Sequence, residues 1–128
     1  MPCESSLSRR LTAVWLLLCL LTLMTGCGAR VGADDLQRTR EGIQEMVAET
    51  EAGRIRDGEK AFNRVHDFFH AVDPALRRAD PELAQSLWDT ILRIEFEYAG
   101  RRNPDVLIRE GRLTLKLLPQ AGRALGWE

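Results

Sequence analysis

The chain has 128 residues, 45% of them hydrophobic, with 18 Lys and Arg against 19 Asp and Glu and a formal net charge of −1. So balanced a charge leaves no basic footprint for a polyanion and argues against nucleic-acid binding. Three cysteines are present, at positions 3, 19 and 27. All of them precede the charged, helix-patterned part of the chain, so no disulfide is expected to brace that part.

In chain order, Arg9 and Arg10 precede a run of roughly fifteen largely apolar residues from Leu11, followed by Met24-Thr25-Gly26-Cys27. A charged segment, a short apolar segment and small residues before a cleavage point make the layout of a secretory signal. The run is too short for a hydrocarbon core, which needs about 20 residues. Met24-Thr25-Gly26-Cys27 resembles the lipobox of bacterial lipoproteins. The resemblance implies cleavage before Cys27, acylation of its thiol and stable anchoring, since two or more acyl chains hold where one does not. An ordinary cleaved signal with a free Cys27, a retained anchor, and a twin-arginine signal at Ser8-Arg9-Arg10 are the alternatives. Gly28 after the cysteine, in place of an Asp, favours the outer membrane over inner-membrane retention in a Gram-negative cell, and a Gram-positive cell would show the protein at its surface. The expected organisation is a signal peptide over 1–26, a lipidated tether over 27–34, a helical bundle over 35–118 and a loose tail over 119–128, with Trp127 docking back.

Leu36, Ile43, Met46 and Val47 share a stripe at helical spacing, which predicts a first helix from Asp35 to about Thr50, with Glu41, Glu45 and Glu49 on its wet side. Ala52-Gly53 and Asp57-Gly58 break the pattern. Phe62, Val65, Phe69 and Val72 predict a second helix from about Glu59 to Val72, ended by Asp73-Pro74 because a residue before proline is pushed from the helical region. Asp80-Pro81-Glu82 carries a capping carboxylate, a first-turn proline and an early acid, the signature of a helix start. That third helix is expected to reach Ala99, with Asp89/Arg93 and Glu97/Arg101 as ion pairs on its outer side. Asn103-Pro104-Asp105 opens a fourth helix ending at Leu118-Pro119, with Asp105, Arg109, Arg112 and Lys116 on a polar strip and Val106, Leu107, Leu113, Leu117 and Leu118 covering the rest. Four helices with short connections predict a small all-α antiparallel four-helix bundle, or else a three-helix core with a loosely attached first helix.

Four polar residues interrupt apolar faces. Glu95 falls in the apolar arc of the third helix beside Ala84 and Trp88, Glu110 on the apolar side of the fourth, and His66 and His70 along the border of the second. A carboxylate in low dielectric must be protonated, paired or metal-bound. One reading joins His66, His70, Glu95 and Glu110 as ligands of a transition metal, Fe, Mn, Zn or Cu, inside the bundle. The other makes all four structural, with Glu95 or Glu110 paired with Arg40 or Arg64, His66 half wet, and His70 exposed. No nucleophile stands in a recognisable setting, since Ser86 faces outward, and no glycine-rich phosphate loop occurs. Catalysis is not expected. The stretch Ala61-Phe62, Phe68-Phe69-His70, Asp80-Pro81-Glu82-Leu83 and Leu92-Arg93-Ile94-Glu95 is similar in spacing to extracytoplasmic helical domains that accompany bacterial iron-uptake permeases. That resemblance implies metal binding. The leading expectation is a lipid-anchored extracytoplasmic binding module that carries no cofactor, meets the membrane through its anchor and meets a protein partner through an apolar helix face; the alternative is a metal-binding accessory lipoprotein.

Overall fold

The computed structural model describes residues 30–128. The expected signal peptide and Cys27 lie outside the described residues. Four α-helices follow one another: α1 (Ala33–Glu51), α2 (Ile55–Ala79), α3 (Pro81–Ala99) and α4 (Pro104–Ala124). No strand forms among the described residues. The helices make a closed ring in which α1 packs on α2, α2 on α3, α3 on α4 and α4 back on α1, while α1 and α3 stand diagonally apart. Connections of one to a few residues force each helix to run against the last, giving the antiparallel four-helix bundle. The core is continuous, with Ile43, Met46, Phe62, Phe69, Leu76, Ile91, Ile94, Leu107 and Leu118 nearly or fully shut from water. Among the described residues, no helix is long and apolar enough to cross a membrane.

Cap chemistry sets the starts. The Gly32 N–H donates to Asp35 Oδ2 at 3.0 Å. This bond and then the Arg38 side chain hold the Asp35 carboxyl below its ordinary range. Asp80 Oδ1 accepts from the Leu83 N–H at 3.0 Å, and Asn103 Oδ1 accepts from the Asp105 N–H at 3.0 Å. Both helices carry proline in their first turn, where no N–H is needed. Gly53 closes α1 at φ +78, a conformation that a side chain would strain.

Two helices run past the prolines expected to stop them. α2 continues through Pro74 to Ala79, and α4 through Pro119 to Ala124. A proline inside a helix costs one hydrogen bond and crowds the preceding turn, about 3 kcal/mol. The burial that follows offsets it: Leu76 lies beyond Pro74 at 1% exposure, and Ala121 beyond Pro119 at 0%. Asp73 accepts from Arg77 Nε across the proline at 2.8 Å. The expected loose tail is therefore mostly helix, and Trp127 folds back on Phe68 with ring centroids 6.4 Å apart. Gly58, read as a breaker, sits inside α2 where the helix comes against α1. A Cβ there would stand 2.7 Å from Thr50 Oγ1 and 3.0 Å from the Met46 carbonyl oxygen.

Other expectations shift at the surface. The ion pairs Asp89/Arg93 and Glu97/Arg101 do not form. Asp89 accepts from Gln85, Glu97 accepts from the Asn103 N–H, and Arg93 turns toward Glu110. Leu113, expected on the covered face of the fourth helix, is 39% exposed. It flanks an open groove of about 490 Å³ with Ile108, Arg109, Arg112 and Lys116.

Candidate metal centre

α2 and α3 lie side by side, and their shared groove holds the polar cluster. His66 and His70 are one helical turn apart on α2, so their rings meet along the same edge of the helix, nearly edge-to-face with centroids 4.7 Å apart. Phe62, one turn earlier, packs under His66 at 5.5 Å and against Tyr98 of α3 at 5.8 Å. Trp88 of α3 meets His70 edge-on at 5.0 Å. Aromatic rings thus fix both imidazoles from the core side.

Glu95 enters from α3. Its Oε1 is hydrogen-bonded to Nε2 of His66. One ligand atom each from His66, His70 and Glu95 lies within 4.8 Å of the other two. The cluster is partly open: the His66 side chain is 26% exposed, that of Glu95 is 35% exposed, and His70 faces solvent. Glu95 is therefore at the mouth of the groove, not in the middle of the apolar arc. Asp67, fully exposed, places Oδ1 3.8 Å from Nδ1 of His66. Two imidazoles and a carboxylate suit borderline divalent ions such as Zn, Cu, Fe or Mn. Such an ion would take the place of the proton between Nε2 and Oε1.

Glu110 does not join this group. Its side chain is 1% exposed on the opposite side of α3. Oε1 accepts from Arg109 Nε at 2.9 Å and Nη2 at 2.8 Å, and Arg93 Nη1 stands 3.5 Å from Oε2. Residues 93 and 95 differ by about 200° around α3, two steps of about 100°, so Arg93 faces α4 while Glu95 faces α2. Nearby, Thr114 Oγ1 donates to the Glu110 carbonyl and lies 3.1 Å from Thr90 Oγ1, a small buried polar layer between α3 and α4. Of the arginines expected as carboxylate partners, Arg64 pairs instead with Glu45 of α1. Ser86 Oγ donates to the Glu82 carbonyl at 2.9 Å. Trp88, expected beside Glu95, also meets His70, and Asp67 is the site neighbour that sequence reasoning gave no role, its adjacency to His66 being the local signal.

In comparisons with protein-family models, curated proteins and solved structures, nothing matched this chain.

Proposed function

We propose that this chain is a metal-binding accessory module that holds one divalent transition-metal ion between α2 and α3. His66 supplies Nε2, His70 a ring nitrogen and Glu95 a carboxylate oxygen. The observation that carries this reading is the convergence of three ligand atoms from two helices to within 4.8 Å, on residues whose apolar neighbours already fix the ring planes. Imidazole pairs at i, i+4 offer both rings to one ion, and a carboxylate from the facing helix completes a mixed donor set. The signal-like segment and the lipobox-like Met24-Thr25-Gly26-Cys27 support an extracytoplasmic position on a lipid anchor at Cys27.

Elemental analysis of the purified full chain after exposure to Fe, Mn, Zn and Cu tests the site. One ion per chain is expected, with a rise in thermal stability of about 2.7 kcal/mol at roughly a hundred times the dissociation constant. His70→Ala and Glu95→Gln should each lose the ion and keep the fold, because neither side chain is in the core. A wild-type chain that takes up no metal and shows no shift ends the proposal. Mass spectrometry of the membrane fraction tests the address: a mature N-terminus other than an acylated Cys27 refutes it.

A further inference from the structure

We infer that the ion held by His66, His70 and Glu95 keeps a coordination position open to solvent and binds a small exogenous ligand there, water at rest and a small anion on exchange. This rests on the metal reading above and says what kind of centre it is.

Zn is four-coordinate in closed sites, and Fe, Mn and Cu take as many ligands or more. The groove supplies three, and no fourth His, Cys, Asp or Glu joins them among the described residues. Asp67 is the nearest further carboxylate, and it addresses the wrong nitrogen. Its Oδ1 is 3.8 Å from Nδ1, whereas Glu95 meets Nε2 on the other side of the same ring. An ion bound at Nε2 requires the ring proton on Nδ1, the nitrogen that Asp67 faces from beyond hydrogen-bond distance. Asp67 is thus a charged neighbour of the ring and not a ligand.

Exposure points the same way as the donor count. The core side of the cluster is walled by Phe62 under His66 and by Trp88 against His70. The other side is open, with His70 exposed and about a third of Glu95 wet. The unfilled position therefore points at water. Closed sites staple folds, whereas three-ligand sites with a vacant position exchange a ligand or act on it. Here the core is complete without an ion, with Phe62 at 2% and Phe69 at 1% exposure. On loading, the ion would exchange three of its water ligands for His66 Nε2, a His70 ring nitrogen and Glu95 Oε1, and the proton between Nε2 and Oε1 would leave to solvent.

The test uses the full chain in detergent with its three cysteine thiols alkylated, so that none can bind or reduce copper, loaded with one equivalent of Cu²⁺ and titrated with sodium azide. An azide-to-copper charge-transfer band should grow and saturate at one azide per copper, with the copper still on the protein after desalting. His70→Ala should weaken copper binding at least tenfold and remove the band under the same conditions. Copper that binds wild type without any azide band means filled coordination and overturns this inference alone, leaving the metal site standing. Failure of wild type to bind copper, or an unchanged band in a His66→Ala/His70→Ala double variant, overturns the metal reading and this inference together.

Discussion

Glu110 offers the sharpest test of how the bundle handles a buried charge. Its carboxylate is 1% exposed, yet both arginines that face it are more than half exposed, at 58% for Arg93 and 67% for Arg109. Oε1 is doubly hydrogen-bonded by Arg109, while Oε2 is buried without a hydrogen-bond partner. The desolvation cost falls on Glu110, and the compensating attraction is screened because the guanidinium groups sit in water. Replacing a buried ion by an apolar residue of similar length is often neutral or stabilising by about 1–4 kcal/mol. With the attraction screened but two hydrogen bonds lost, Glu110→Met should lie between no change and a gain of about 2 kcal/mol. Arg93→Met/Arg109→Met leaves the charge unpaired and should cost about 3 kcal/mol. For a domain of this size that is a fall of about 12–24 °C in Tm. Urea and thermal unfolding followed by circular dichroism at pH 7 measure all three proteins. A Glu110→Met loss above about 2 kcal/mol, with the double arginine variant unchanged, would refute this account of Glu110. The same Met variant should bind metal as wild type does, because Glu110 is on the far side of α3.

Further outcomes concern the long helices, the tyrosine and the ion itself. Leu76→Ala should cost about 2–5 kcal/mol in urea unfolding, whereas a helix that stopped at Val72 would leave Leu76 loosely packed and the cost under about 1 kcal/mol. Burial raises the Tyr98 hydroxyl above its ordinary 10.0, and that hydroxyl is buried without a hydrogen-bond partner. The folded state therefore retains the proton longer than the unfolded chain, so this stability is present below about pH 10 and is lost as pH rises through the folded value. Wild type should lose stability above pH 10 more steeply than Tyr98→Phe in pH-resolved thermal melts. Removal of the ion by a chelator should leave the helical circular dichroism signal intact and only lower Tm, because the donors line a groove outside the core; collapse of the signal would mean that the ion staples the bundle.

How much of this was legible in the sequence depends on whether the deciding physics is local. Asp80-Pro81-Glu82 and Asn103-Pro104-Asp105 were readable because the cap, the proline and the first-turn acid act within a few residues. The buried stripe of Leu36, Ile43, Met46 and Val47 was readable from spacing alone. Pro74 and Pro119 misled for the opposite reason. Their local cost is real, and what outweighs it is the burial of Leu76 and Ala121 against distant helices, which no window around the proline contains. Gly58 is a similar case, a helix residue because α1 needs the space where its Cβ would be.

The site divides along the same line. His66 and His70 meet because i, i+4 is a property of one helix, and a sequence states it outright. Glu95 reaches them because α3 runs antiparallel beside α2, which short connections also imply. Glu110 was grouped with them because a helical wheel gives the face of a residue but not the identity of the helix it faces. In a four-membered ring every helix has two neighbours, and α4 spends its acidic position on α3, from the side that Arg93 looks out of. The ring geometry therefore separates two carboxylates that composition makes look equivalent. One is enclosed between α4 and α3, hydrogen-bonded by Arg109 and faced by Arg93. The other is at a wet groove mouth, hydrogen-bonded to an imidazole. Only the second is open to a solute from solution, and that difference in access, more than the donor types, is why the proposed site includes Glu95 and leaves out Glu110.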